Sequence, residues 1–253
     1  MIDWKIHHAP ETVSTNLDAR EGRHGDVFTA DFQSAGRGRL DHKWLSPRGA
    51  NVIMSAVLDV SGLAPDRICT LPLAVGLAVV EAIVGEYPWL ENLAIKWPND
   101  VFVGGRKVAG ILCELNGTNV IAGIGVNVEK REFPPELRAT AAALADFLPA
   151  NPRIDESTHQ RIDESTHPRI DELIRAILSR LAALYPEWRR HGLSSLAPKL
   201  SACDYLKGRL VAVRQTDDDR EPVTGICGGI QADGTLLVGT TPVYAGEAHV
   251  ERC

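Results

Sequence analysis

Between Ala94 and Val128 the chain doubles back on glycine twice, and this stretch limits the possible folds more than any other. Ala94 to Trp97 reads as a short strand, which Pro98-Asn99 turns. Val101 to Val103 leads into Gly104-Gly105, where both positions accept positive φ, the signal of a tight hairpin. Arg106 to Leu115 returns, Asn116-Gly117 forms a second turn, and Val120 to Val128 is the next strand. Strands joined this closely pair antiparallel, because a parallel connection needs a crossover of about a dozen residues. The outer strand of this meander, Val120 to Val128, is a candidate dimer edge.

The flanking segments add helices. Thr12 to Arg20 reads as a helix start with Ser14 and Thr15 as capping types. Val27 to Phe32 and Asn51 to Val60 read as strands. Leu71 to Val84 is a helix apolar nearly all round. It is too short, and interrupted by Glu81, to cross a bilayer. Ile170, Leu173, Ile174, Ile177, Leu178, Leu181 and Leu184 give an amphipathic stripe that Pro186 ends. From Asp204 onward the texture changes to short strands with Gly or Asp turns, suggesting a small appended β-barrel. The expected class is therefore α+β: a mixed, largely antiparallel sheet with helices in residues 1–203, and a small β domain in 204–253.

The 253 residues are 44% hydrophobic and 24% charged, which places the chain among ordinary globular proteins. A net charge of −6 argues against nucleic-acid binding by the surface as a whole. The N-terminus has no apolar signal region, so a cytoplasmic location is expected. Five cysteines at wide spacing, without a CxxC pair, read as free thiols. The eight histidines show no ligand spacing, and no metal site is expected. The octapeptides RIDESTHQ (153–160) and RIDESTHP (161–168) repeat in tandem and read as a polar surface insertion within residues 151–169.

Three clusters carry chemistry. Gly36-Arg37-Gly38-Arg39 alternates guanidinium groups with glycines on an unpatterned loop. Arginine grips carboxylate or phosphate in a bidentate manner, and glycine lets the backbone close around a ligand. The loop lacks the Lys-Ser/Thr ending of a P-loop. Lys96-Trp-Pro-Asn-Asp100 places a cation and a carboxylate around one turn. In Lys107-Val-Ala-Gly-Ile-Leu-Cys-Glu114, strict alternation sets Lys107 on one face with Ala109, Ile111 and Cys113. That reads either as a cation aimed into a pocket or as an edge-strand gatekeeper.

In order along the chain stand Ser14-Thr-Asn16, Gln33-Ser-Ala-Gly-Arg-Gly-Arg39, Trp44-Leu-Ser-Pro-Arg-Gly-Ala-Asn51, Lys96-Trp-Pro-Asn-Asp100, Lys107-Val-Ala-Gly-Ile-Leu112 and Gly123-Ile-Gly-Val-Asn-Val128. Together these motifs resemble the biotin protein ligases. Gly225-Ile-Cys-Gly-Gly-Ile230 and Tyr244-Ala-Gly-Glu247 are similar to that family's small SH3-like domain. The resemblance implies a catalytic domain of the class II aminoacyl-tRNA synthetase-like, biotin-lipoate ligase type. It implies condensation of ATP and biotin to biotinyl-5′-adenylate and pyrophosphate, then transfer of biotin to a lysine of a biotin carboxyl-carrier protein of acetyl-CoA carboxylase or a related carboxylase. On this resemblance Ser14, Thr15, Asn16 and Gln33 line the biotin pocket. Arg37, Gly38 and Arg39 belong to a loop that closes over the ligand. Lys107 contacts the carboxylate and the α-phosphate, so Lys107, Arg37 and Arg39 are the catalytic candidates. Trp44, Asn51, Lys96, Asn99, Asp100 and Asn127 attend the nucleotide, with Mg²⁺ accompanying ATP.

The chain departs from the family pattern at Leu40-Asp41-His42, which replaces basic and glycine positions of the loop. The pocket motif already stands at Ser14, which leaves no room for an N-terminal helix-turn-helix and predicts a ligase that does not bind DNA, acting as monomer or homodimer away from membranes. A lipoate or octanoate ligase or transferase of the same fold is the nearest rival, and a non-catalytic biotin or nucleotide sensor is the rival of another class.

Overall fold

The computed structural model describes residues 2–40, 42–148, 153–154, 161–162, 170–215 and 221–251. Seven strands form the main sheet: β1 (Lys5–Ala9), β2 (Asp26–Ala30), β3 (Asn51–Asp59), β4 (Leu93–Lys96), β5 (Asp100–Val103), β6 (Arg106–Asn116) and β7 (Asn119–Asn127). Their order is β1-β2-β3-β7-β6-β5-β4. Only β1 and β2 run parallel; the other neighbours are antiparallel, so the sheet is mixed and largely antiparallel as expected.

The first hairpin turns on Gly104 and Gly105, with φ of 56° and 82°. The second turns one residue later than expected, on Gly117-Thr118, because Asn116 still pairs with Asn119. β7 is not the edge strand expected of a dimer seam. β7 lies in the middle of the sheet, bonded along its whole length to β3 and over most of it to β6. Chain order misled here, since β3 comes from far upstream and takes the open side. β3 is a nearly continuous apolar run, buried over its first eight residues, which suits an interior position.

One sheet face packs on α3 (Leu71–Glu86), which follows the short helices α1 (Thr15–Asp18) and α2 (Pro65–Cys69). The continuous stretch Pro65–Glu86 is long and apolar enough to cross a bilayer by length and composition, contrary to the expectation from Leu71–Val84 alone. Here it is the core helix, with Leu71, Leu73, Val75, Leu77, Val79 and Ile83 buried. The two-residue strands β8 (Arg153–Ile154) and β9 (Arg161–Ile162) pair the openings of the two octapeptides antiparallel. Most of the repeat lies outside the described residues.

Helix α4 (Ile170–His191) covers α3. It does not end at Pro186, which sits inside it. Proline removes one helical hydrogen bond, but tertiary contacts hold the turn beyond it. Trp188 Nε1 donates to Thr70 Oγ1 at 2.9 Å, Arg189 Nη1 donates to Asp59 O at 2.8 Å, and the Tyr185 hydroxyl also donates to Asp59 O.

After α5 (Ala197–Ala202) come β10 (Leu210–Arg214), β11 (Val223–Ile230), β12 (Leu236–Val238), β13 (Thr241–Val243) and β14 (Glu247–Val250). They form an antiparallel sheet in the order β13-β12-β11-β10-β14, compatible with a small barrel-like unit. Its inward residues Val211, Val213, Leu236, Val238 and Val243 join the same core as the main sheet. Polar ties reinforce the junction: Trp97 Nε1 donates to Gly234 O at 2.9 Å, and Ile230 N donates to the Asp204 carboxylate at 2.8 Å.

Candidate functional site

On the face of the sheet turned away from α3 lies a cavity of about 330 Å³. Glycines pave its floor. A Cβ at Gly123 would stand 2.2 Å from Asn16 Oδ1, and one at Gly125 would stand 2.4 Å from Trp44 Cε2. At Gly110 it would meet Lys107 Nζ and Trp44 Cζ3, each at 3.2 Å. Only glycine lets these side chains lie directly on the strands.

One end of the cavity is a dense polar network. Ser14 caps α1 by position but makes no side-chain cap bond. Gln33 Oε1 accepts from the Thr15 amide at 2.8 Å and from its hydroxyl at 3.2 Å. Ser55 Oγ lies 2.8 Å from Thr15 Oγ1 and 2.6 Å from Asn16 Oδ1. Asn16 Nδ2 donates to Glu114 Oε2 at 2.6 Å. Buried polar groups of this density hold one another in fixed orientation.

The middle belongs to Lys107, which does not share a face with Ala109 and Ile111 as strict alternation predicts. A β-bulge shifts the β5–β6 register, so Val101 faces Ala109 while Phe102 faces Lys107. One extra residue inverts the pleat. Val108, Ala109 and Ile111 therefore go to the core, and Lys107 shares the cavity face with Gly110, Leu112 and Glu114. Its ammonium lies 2.6 Å from Asp100 Oδ1 and 5.9 Å from the Trp44 ring centre. Lys96, from the adjoining edge strand, lies over the Phe102 ring at 5.3 Å, and burial pushes its pKa below the usual lysine value.

The Gly-Arg loop closes one wall. Gly38 N donates to His42 O at 2.7 Å and Trp44 N to Gly36 O at 2.9 Å, so the loop folds back on itself. Arg37 pairs with Glu114 at 3.0 Å, and Arg39 Nη1 donates to Asn99 Oδ1 at 3.1 Å. Asn99 is itself anchored, its Nδ2 donating to Ile111 O at 2.7 Å. In the divergent segment Leu40 takes a φ of 52°, and His42 lies 3.6 Å from Glu247 of β14. Both partners are well exposed, so this contact stabilises little. Asp41 lies outside the described residues.

At the far end, Asn51 Nδ2 donates to Asn127 Oδ1 at 3.3 Å, and Asn127 Nδ2 donates to Ala142 O at 3.1 Å. Ser14, Thr15, Asn16, Gln33, Arg37, Gly38, Arg39, Trp44, Lys96, Asn99, Asp100, Lys107 and Asn127 thus all line one cavity, while Asn51 stands behind Asn127. Sequence reasoning missed Glu114, hidden by the bulge, and Arg131 and Phe133, which follow β7 without a pattern. It also missed Glu247 to His249, brought to the mouth by the second sheet. Among the described residues no group of three or more His, Cys, Asp or Glu side chains could hold a metal ion.

The fold is shared with solved ligases. A biotin protein ligase from Aquifex aeolicus, in complex with biotin and ATP, superposes with a TM-score of 0.78 at 27% identity, over 98% of this chain and 99% of that one. Residues 6–130 match the Biotin/lipoate A/B protein ligase family, and the chain belongs to that family. The bifunctional ligase/repressor BirA of Salmonella typhimurium is 36% identical over 223 residues, 86% of this chain and 63% of the relative. The biotin–[acetyl-CoA-carboxylase] ligase of Mycobacterium tuberculosis is 37% identical over 150 residues, 56% of this chain and 55% of the relative. The chain therefore spans less than two thirds of the length of these curated relatives.

Proposed function

We propose that this chain is a biotin protein ligase. A carboxylate and an amine do not condense readily at neutral pH, so the carboxylate oxygen must first become part of a leaving group. The biotin carboxylate attacks the α-phosphorus of ATP; the α–β phosphoanhydride bond breaks and pyrophosphate leaves with its electron pair. The ε-amine of an acceptor lysine then attacks the mixed-anhydride carbonyl. The carbonyl–oxygen bond to phosphate breaks, AMP leaves, and the amine proton passes to solvent. Catalysis of this kind needs positioning and charge neutralisation rather than an enzyme nucleophile.

The observation that carries this reading is the single cavity that joins the Asn16 network, the Lys107 ammonium and the arginine loop. Biotin lies at the Thr15–Asn16–Gln33 end. Its carboxylate reaches Lys107, which exchanges Asp100 for the ligand. Trp44, Asn51, Lys96, Asn99, Asp100 and Asn127 take the nucleotide, and Mg²⁺ enters with it. The loop carrying Arg37, Gly38 and Arg39 closes over the adenylate and keeps water from hydrolysing it. The acceptor is a biotin carboxyl-carrier protein. The catalytic unit spans 1–203 and the small domain 204–253, and the protein works in the cytoplasm as monomer or homodimer, on neither DNA nor membrane.

Isotope exchange between pyrophosphate and ATP, run separately with biotin, lipoate and octanoate, tests the proposal. Exchange with biotin is expected. Exchange with lipoate or octanoate alone would overturn the substrate assignment, and tight biotin binding with no AMP release when a carrier protein is added would make the chain a sensor.

A further inference from the structure

Four of the cavity's cations fall into two kinds by what holds them. Arg37 and Lys107 each face a carboxylate, Glu114 at 3.0 Å and Asp100 at 2.6 Å. Arg39 and Arg131 are instead held by neutral asparagine oxygens, Asn99 Oδ1 at 3.1 Å and Asn127 Oδ1 at 2.9 Å. Arg131 also donates from Nη1 to Leu45 O at 2.9 Å and stacks on Phe133 at 4.3 Å from the ring centre. Its Nε is buried without a partner, and it makes no ion pair with the described residues. Of the five N–H groups that a guanidinium carries, two are spent on uncharged oxygens. The second hydrogens of Nη1 and Nη2 and the whole charge are left for an anion.

Position selects the anion. Cavity-facing residues of β7 follow at every second place, from Gly123 under Asn16, through Gly125 under Trp44, to Asn127 under Arg131. A strand advances about 3.3 Å per residue, so Gly123 and Asn127 stand roughly 13 Å apart. If biotin occupies the Asn16 end and its carboxylate reaches Lys107, the Arg131 end receives what is joined to that carboxylate.

We propose that Arg131 is a nucleotide-binding residue that grips a phosphate group of ATP while its bond to Leu45 fixes the root of the closing loop. This rests on the ligase reading of the cavity and adds to it a cation outside the motifs that carried that reading. An asparagine oxygen orients the guanidinium without cancelling its charge, which a carboxylate would do.

The test is direct binding of ATP, adenosine and biotin to the wild-type chain and to Arg131→Gln and Arg131→Lys. Arg131→Gln is expected to weaken ATP about ten- to a hundredfold, the loss of one charge-assisted contact. Biotin and adenosine, which lack the phosphate, are expected to change by less than about twofold. Arg131→Lys keeps the charge and the stem over Phe133, and is expected to recover part of the ATP affinity. Equal weakening of ATP and adenosine, or of ATP and biotin, would reduce Arg131 to a structural tether and overturn the proposal, as would an unchanged ATP affinity. Arg131→Lys provides the same comparison should the glutamine variant not fold. A wild-type chain that binds neither ATP nor biotin would instead bring down the ligase reading itself.

Discussion

Lys107 Nζ and Asp100 Oδ1 stand 2.6 Å apart across the bulged β5–β6 pair. The bulge turns Lys107 out of the core and into the cavity, where Asp100 balances its charge. Lys107→Ala is therefore expected to keep the fold and lose most adenylation. A charge-assisted contact is worth about 1.5–3 kcal/mol, which corresponds to roughly tenfold to a few hundredfold in rate. The pyrophosphate–ATP exchange rate reads this out, and a change below about twofold would remove Lys107 from the reaction.

Glu114 bridges the Gly-Arg loop and the Asn16 network, taking Arg37 on one oxygen and Asn16 on the other. Glu114→Ala removes both restraints and is expected to raise KM for biotin about tenfold with little change in kcat. Glu114→Gln keeps an oxygen for Asn16 and is expected to fall between. Equal KM values for all three proteins would leave Glu114 without a role in seating the ligand.

Arg39 ties the Gly-Arg loop to Asn99, in the turn before β5, at 3.1 Å. Arg39→Gly is expected to loosen retention of the adenylate, which then acylates bystander lysines. Mass spectrometry of an added inert protein detects the label, and a variant that leaks no more than wild type would weaken the role of the loop as a lid.

Much of the sheet was legible because Gly104-Gly105 and the apolar run of β3 are local signals, sufficient without tertiary context. The cavity was legible through its motifs, which supply residue types and order. Three things were not. The bulge opposite Val101 and Phe102 arises from pairing between strands, so no period within β6 announces that Lys107 and Glu114 share a face. β1, with the polar sequence KIHHA, has no alternation and is fixed by its parallel partner β2. Pro186 stays helical because Tyr185, Trp188 and Arg189 bind groups more than a hundred residues away.

Trp97 joins the two sheets: the residue is 2% exposed, and its Nε1 donates to Gly234 O. Trp97→Phe strands that carbonyl and leaves unfilled space. The unmet hydrogen bond costs about 1–3 kcal/mol, and each kcal/mol lowers Tm by about 2–4 °C in a chain of this size. Calorimetry is expected to show a fall of several degrees. An unchanged Tm would mean that the contact does not hold the small sheet in place.

Burial pushes the Cys113 thiol up to about 12 from an ordinary 9.0, so it stays neutral in the folded protein. The stability that follows from this raised value is whole below about pH 9 and declines as pH rises toward the folded value. At about pH 8.5, iodoacetamide is expected to label exposed Cys69 well ahead of the half-buried Cys113. Equal labelling of both in the native protein would contradict the burial.

The central claim is that one glycine-floored groove holds an acyl-adenylate from end to end, and a crystal structure of the protein with biotinyl-5′-adenylate tests it most directly. The account predicts the ring system beside Thr15, Asn16 and Gln33, the anhydride at Lys107, the nucleotide toward Asn127, and residues 36–39 drawn over it. The adenylate found outside this groove, or bound in it with residues 36–39 making no contact, would contradict the account.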